Sequence, residues 1–100
     1  MTQKTRDGGY DLLLSKQEDR FGETYTYRAI VECKNYSDTK ICDSLVKKLV
    51  GANAEVKADK CIFITTSTFT EPAKVYAANV GVQLIDGKAL QEMEERVNKS

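Results

Sequence analysis

Apolar and polar positions alternate most clearly in Tyr27-Arg28-Ala29-Ile30-Val31-Glu32-Cys33-Lys34. That pattern, rich in β-branched and aromatic types, predicts a strand from about Thr24 to Lys34. Period two puts Glu32 and Lys34 on one face and turns Cys33 to the other. A second strand-like run spans Tyr10 to Ser15 and carries Asp11. Between the two lies Lys16 to Glu23, charged and containing Gly22, which suits a hairpin connection longer than the tight two-residue kind. If the runs pair, Asp11 lies beside Glu32.

Helical spacing follows. Ile41, Leu45, Leu49 and Val56 recur on one stripe, widened by Cys42, Val46 and Val50, with Ser37, Asp38 or Thr39 available as cap. Lys40, Lys47 and Lys48 fall on or near the opposite face. Cys61 to Thr66 is a short apolar run with almost no alternation, as expected of a strand covered on both faces. Thr70 caps a second helix, with Glu71 and Pro72 in its first turn and Gly81 ending it. Val82 to Ile85 is a further strand. Asp86 caps a last helix whose Leu90, Met93 and Val97 face inward. The polar segment Met1 to Asp7 is expected to fray, and Gly8-Gly9 to turn. The order strand, strand, helix, strand, helix, strand, helix predicts one α/β domain: a mixed sheet, antiparallel hairpin first and parallel strands after, flanked by helices.

Composition narrows the chemistry. The chain has 100 residues, 41% of them hydrophobic, enough for one small domain with its own core. It has no apolar run long enough to span a bilayer and no leader-like amino terminus, so the expected compartment is the cytoplasm and no membrane partner is expected. Three cysteines without a CxxC pair argue against a disulfide framework and favour small packing residues. There is no histidine, which removes Ser-His-Asp and Cys-His catalysis. Hydrolysis would then fall to carboxylates, lysine or a metal. Fifteen basic and fifteen acidic side chains cancel, so any nucleic acid would meet a local patch. A triphosphate-binding module lacks its cradle, because neither GxxxxGK[ST] nor GxGxxG occurs. Two carboxylates and a lysine that converge can hold a divalent metal beside a water. Taken alone, however, Glu-x-Lys on a strand is also the ordinary form of a solvated charge pair, worth ~0.2–1 kcal/mol.

The order of segments adds to this. Asp7-Gly8-Gly9-Tyr10-Asp11 followed by Glu32-Cys33-Lys34 resembles the bipartite motif of the PD-(D/E)xK nuclease superfamily. Leu49-Val50-Gly51-Ala52, Ala58-Asp59-Lys60, Phe63 to Thr70 and Leu84-Ile85-Asp86-Gly87 resemble the catalytic domain of Mrr-type restriction endonucleases, from about Asp7 to Met93. Tyr10 stands where the superfamily name has proline, and Glu32 where many Mrr-type domains carry glutamine. The resemblance implies a Mg²⁺- or Mn²⁺-dependent endonuclease acting on DNA. Asp11, Glu32 and the Cys33 carbonyl would be its metal ligands, the Cys33 side chain facing the core, and Asp11, Glu32 and Lys34 its catalytic residues. Lys34 would lie against the attacking water and the scissile phosphate. Lys40, Lys47, Lys48, Thr66 and Ser67 are candidates to meet the nucleic-acid backbone. The resemblance also places a helix and a short strand ahead of Asp11, for which the sequence leaves little room. A homodimer, or a separate element, is expected to cover the edge left bare. The alternative is a catalytically silent nucleic-acid-binding or assembly module of the same fold.

Overall fold

A computed structural model describes the backbone of residues 2–4 and all of residues 10–99 except the side chains of 98 and 99. The expected turn at Asp7, Gly8 and Gly9 lies outside the described residues. Among the described residues five strands form one sheet in sequence order. They are β1 (Thr2–Lys4), β2 (Leu12–Arg20), β3 (Glu23–Lys34), β4 (Lys60–Thr65) and β5 (Gln83–Ile85). The helices interleaved with them there are α1 (Asp43–Val56), α2 (Glu71–Val80) and α3 (Gly87–Lys99). β1, β2 and β3 pair antiparallel, whereas β3–β4 and β4–β5 are parallel. This is the mixed sheet expected from the order of elements. Among the described residues no helix is long and apolar enough to cross a membrane.

The sheet's two faces are treated differently. Register sets Ile30, Glu32 and Lys34 of β3 opposite Cys61, Phe63 and Thr65 of β4. On that face Ile30 and Phe63 join Val46 and Leu49 of α1, Ala73 and Ala77 of α2, and the preceding loop residues Ile41 and Phe69 in one buried cluster. The Phe63 and Phe69 rings meet edge to face, 5.7 Å between centroids. Val31 and Ile85 are buried on the other face, but Ile62 and Ile64 are only half-buried. The full two-sided cover expected for β4 is therefore partial. α3, which contacts β5, keeps Leu90 half-buried but leaves Met93 43% and Val97 72% exposed, so its inward stripe is shorter than expected.

Several local features depart from the expected ones. Met1 to Asp7 is not wholly frayed, because Thr2–Lys4 pairs with Leu12–Leu14 and shields that part of β2 from acting as an open edge. The hairpin is tighter than expected. β2 and β3 continue to Arg20 and Glu23, and only Phe21 and Gly22 connect them, at φ 53° and 81°. Two positive φ values in a row are the mark of a type I′ turn, whose twist matches the strands it joins. The charged residues between Lys16 and Glu23 therefore extend the ladder instead of looping out. α1 starts later than expected, at Asp43. No side chain caps it, and Cys42 occupies the N-cap in extended conformation. Ile41 is instead drawn into a bridge with Phe69, its N–H donating to the Thr68 carbonyl at 2.8 Å. The other two caps form as expected. Thr70 Oγ1 accepts from Ala73 N at 3.2 Å, and Asp86 Oδ1 from Ala89 N at 2.8 Å.

Candidate active site

β2 and β3 deliver the acids. β2 begins just after Asp11, and the Asp11 N–H donates to the Val31 carbonyl at 2.8 Å, continuing the antiparallel ladder one step beyond Leu12. Asp11 Oδ2 then accepts from the Cys33 N–H at 2.8 Å. One oxygen of the first carboxylate is thus fixed by the strand that carries the second. Glu32 lies 8% exposed at the margin of the core, on the face of Ile30 and Phe63. Burial pushes its carboxyl up to about 7 from an ordinary 4.5, a hydrogen bond and the charge of Asp11 act in the same direction, and Lys34 opposes them. Lys34 is half-buried, two residues further along the same face, and makes no ion pair among the described residues.

The structure therefore brings Asp11, Glu32 and Lys34 together at the end of β3, where the parallel part of the sheet opens toward its loops. The Glu32 carboxyl is raised chiefly by burial, with the hydrogen bond and charge of Asp11 adding to it. Two hard oxygen donors so placed suit a small divalent cation that keeps several waters, with the Cys33 carbonyl as a possible third donor. Among the described residues no group of three or more acidic or thiol side chains gathers, so a multi-ligand cage of the zinc type is absent. One expectation is corrected. The Cys33 side chain does not face the core but is exposed, because Ile30 and Glu32 occupy the parity that α1 and α2 cover.

The residues expected to meet nucleic acid separate into two groups. Lys40, Thr66 and Ser67 line one cleft at the loop end of β4. Lys47 points elsewhere. It pairs with Asp43 at 3.0 Å and its ammonium sits 5.4 Å from the Tyr76 ring centroid, bridging α1 to α2. Lys48 is exposed on α1. The Thr66 hydroxyl has a single proton, directed at Asn35 Oδ1 (2.8 Å) or the Tyr36 carbonyl (3.1 Å), so it braces the loop after Lys34. Lys88 and Gln91 of α3 line the same cleft. They were not singled out in the sequence, where a lysine and a glutamine on a polar helix face carry no signal; only the docking of α3 against β5 and the loop after β4 reveals them.

Comparison with known proteins identifies the family and the fold. A family model described as a restriction endonuclease, the Mrr catalytic domain, matches residues 1–94. The chain is 37% identical over 87 residues to the type IV methyl-directed restriction enzyme EcoKMrr of Escherichia coli (strain K12), covering 86% of this chain and 27% of that protein. Among solved structures, the DNA modification-dependent restriction endonuclease AspBHI superposes with a TM-score of 0.68 at 18% identity, over 88% of this chain and 24% of the other. MspJI restriction endonuclease, solved with a 27-mer oligonucleotide, superposes with a TM-score of 0.70 at 18% identity, over 90% and 20%. The chain thus spans about a quarter of the length of these relatives. With the family model matched over nearly the whole sequence, the chain belongs to the Mrr-type restriction endonuclease catalytic domain family.

Proposed function

We propose that this domain is a Mg²⁺- or Mn²⁺-dependent endonuclease that hydrolyses DNA phosphodiester bonds, in restriction or repair. The observation that carries the reading is the meeting of Asp11 and Glu32 beside Lys34, with Glu32 pushed up to about 7 by burial and by its neighbour. Perturbed carboxyl groups with a charged partner cluster at functional sites, which supports this reading.

Asp11, Glu32 and the Cys33 carbonyl would hold the ion. When bound, it supplies Lewis acidity, making water nucleophilic near neutral pH and offsetting charge on the phosphate. The protein's own groups do the rest. Asp11 is held in aim by the Cys33 N–H. Glu32 would have to be deprotonated to serve as a ligand, which would tie occupancy of the site to pH. Lys34, which makes no ion pair among the described residues, stabilises the negative charge that develops on the phosphate oxygens. A single site cuts a single strand, so double-strand cleavage calls for two copies, and a homodimer acting in the cytoplasm is part of the proposal.

Supercoiled plasmid incubated with the protein and Mg²⁺ or Mn²⁺ tests this. Nicking and linearisation are expected. Asp11→Asn, Glu32→Gln and Lys34→Ala should each cost about 10²–10³-fold, the range for removing one electrostatic element of a preorganised site. Equal cutting by all three variants would sink the proposal. Tight DNA binding without any cutting would favour a silent module of the same fold.

A further inference from the structure

A cleft of about 620 Å³ lies at the loop end of β4, next to the loop that follows β3. Ser37 and Lys40 of the β3–α1 loop form one wall. Thr66 and Ser67 form the floor, and Lys88 and Gln91 of α3 the opposite wall. It adjoins the catalytic strand directly, because the Thr66 N–H donates to the Lys34 carbonyl at 3.4 Å.

The cleft is braced on three sides. The Ile41–Phe69 bridge ties the β3–α1 loop to the segment after β4. The Thr66 hydroxyl holds Asn35 and Tyr36. The Gly87 N–H donates to the Ser67 carbonyl at 3.0 Å, and a Cβ at Gly87 would collide with the Thr66 carbonyl. Glycine at the first position of α3 is therefore what lets that helix stand close enough to form a wall.

Charge within the cleft differs from that of the whole chain. The chain is neutral, but the cleft carries Lys40 and Lys88 against Asp38 alone. Neither lysine has an ion pair among the described residues, whereas Lys16, Lys47 and Lys74 all do. Two ammonium groups with no ion pair among the described residues, lining one cleft together with hydroxyl and amide groups, match a phosphodiester backbone better than a base, whose faces call for aromatic or apolar walls.

We propose that this cleft is the track of the strand being cut, with a phosphate neighbouring the scissile one held between Lys40 and Lys88. The inference rests on the nuclease reading for its substrate and extends it to α3, whose Lys88 and Gln91 become backbone-positioning residues.

The test is a salt titration of binding to a random-sequence duplex oligonucleotide, with EDTA present and the full chain carrying Asp11→Asn so that nothing is cut. Adding Lys40→Gln or Lys88→Gln should weaken binding and reduce the slope of log K against log salt by about 0.9 each, one phosphate contact apiece. Lys60→Gln removes the same charge at the far end of β4 and should leave the slope unchanged. Circular dichroism confirms that each variant is folded. Slopes unchanged in Lys40→Gln and Lys88→Gln, equal slope losses in all three variants, or no binding at all would each overturn the cleft. Plasmid cutting by the wild type is scored separately. Reduced slopes without cutting retain the cleft and defeat the nuclease reading, and cutting with unchanged slopes does the reverse.

Discussion

β2 and β3 run side by side for nine residue pairs, yet their two ends are different materials. At the loop end of β3, Ile30, Val31 and Glu32 are buried in succession, and side chains and loops are cross-tied around them. At the hairpin end every residue from Asp19 to Tyr27 is exposed. Order there comes from the backbone ladder and from surface pairs: Arg20 with Glu18 at 2.7 Å, Thr24 with Asp19 at 2.7 Å, and Tyr25 with Glu23 at 2.9 Å. Arg20 also lies 6.0 Å from the Tyr27 ring centroid. Exposed pairs of this kind contribute ~0.2–1 kcal/mol each and are screened by salt. One ladder thus carries a dry end that can hold chemistry and a wet end that cannot.

Three measurements sharpen that contrast, beginning with the largest effect. Phe63→Ala empties the centre of the dry end, where the ring is fully buried against Phe69. It should cost about 3–5 kcal/mol in a urea melt, enough to unfold much of a domain this small. A loss under about 1 kcal/mol would mean that the cluster does not organise the fold.

The second concerns Glu32 in metal-free protein. Its folded pKa of about 7 lies above the ordinary 4.5. The folded chain therefore holds this proton more tightly than the unfolded chain does. The associated stability is complete below about 4.5, declines as pH rises toward 7, and is flat beyond. Glu32→Gln should remove this slope, which can reach about 1.4 kcal/mol per pH unit. Melts of the two proteins across that window give the difference directly, and parallel curves would refute it. Glu18 at the hairpin end, lowered by its hydrogen bond to Arg20, contributes with the opposite sign.

The smallest effect belongs to the wet end. Phe21 is fully exposed and holds a left-handed φ of 53°, a conformation that costs a phenylalanine more than an asparagine. Phe21→Asn should stabilise the protein by about 0.5–1 kcal/mol and leave plasmid cutting untouched. Destabilisation, or a loss of cutting, would show that the tip takes part in something beyond closing the hairpin.

The same contrast explains what could be read in the sequence. Short-range chemistry was legible. Thr70 and Asp86 cap their helices, and Gly81 ends α2 at a φ of 77°, because one side chain or its absence decides each case. The pairing of Asp11 with Glu32 was legible as well, since period two and a hairpin leave few registers. The tight turn was not, because Phe-Gly lacks the Asn or Asp that usually marks a type I′ turn. Ile41 fitted a helical stripe, but a long-range bridge to Phe69 claimed it. Cys33 was assigned to the interior because it is apolar, while the parity of Ile30 sent Glu32 there instead. The walls of the cleft depend on contacts between elements remote in sequence, which leave no local pattern.

The hydrogen bond from the Cys33 N–H to Asp11 has a consequence in time as well as in space. It spans the two strands at the point where both acids sit, so closing the hairpin and assembling the pair of carboxylates are a single event. A nascent or partly melted chain whose strands have not met has no aligned acids to offer. On the nuclease reading proposed above, competence would be acquired at the moment of folding, and the unassembled chain would be harmless to DNA.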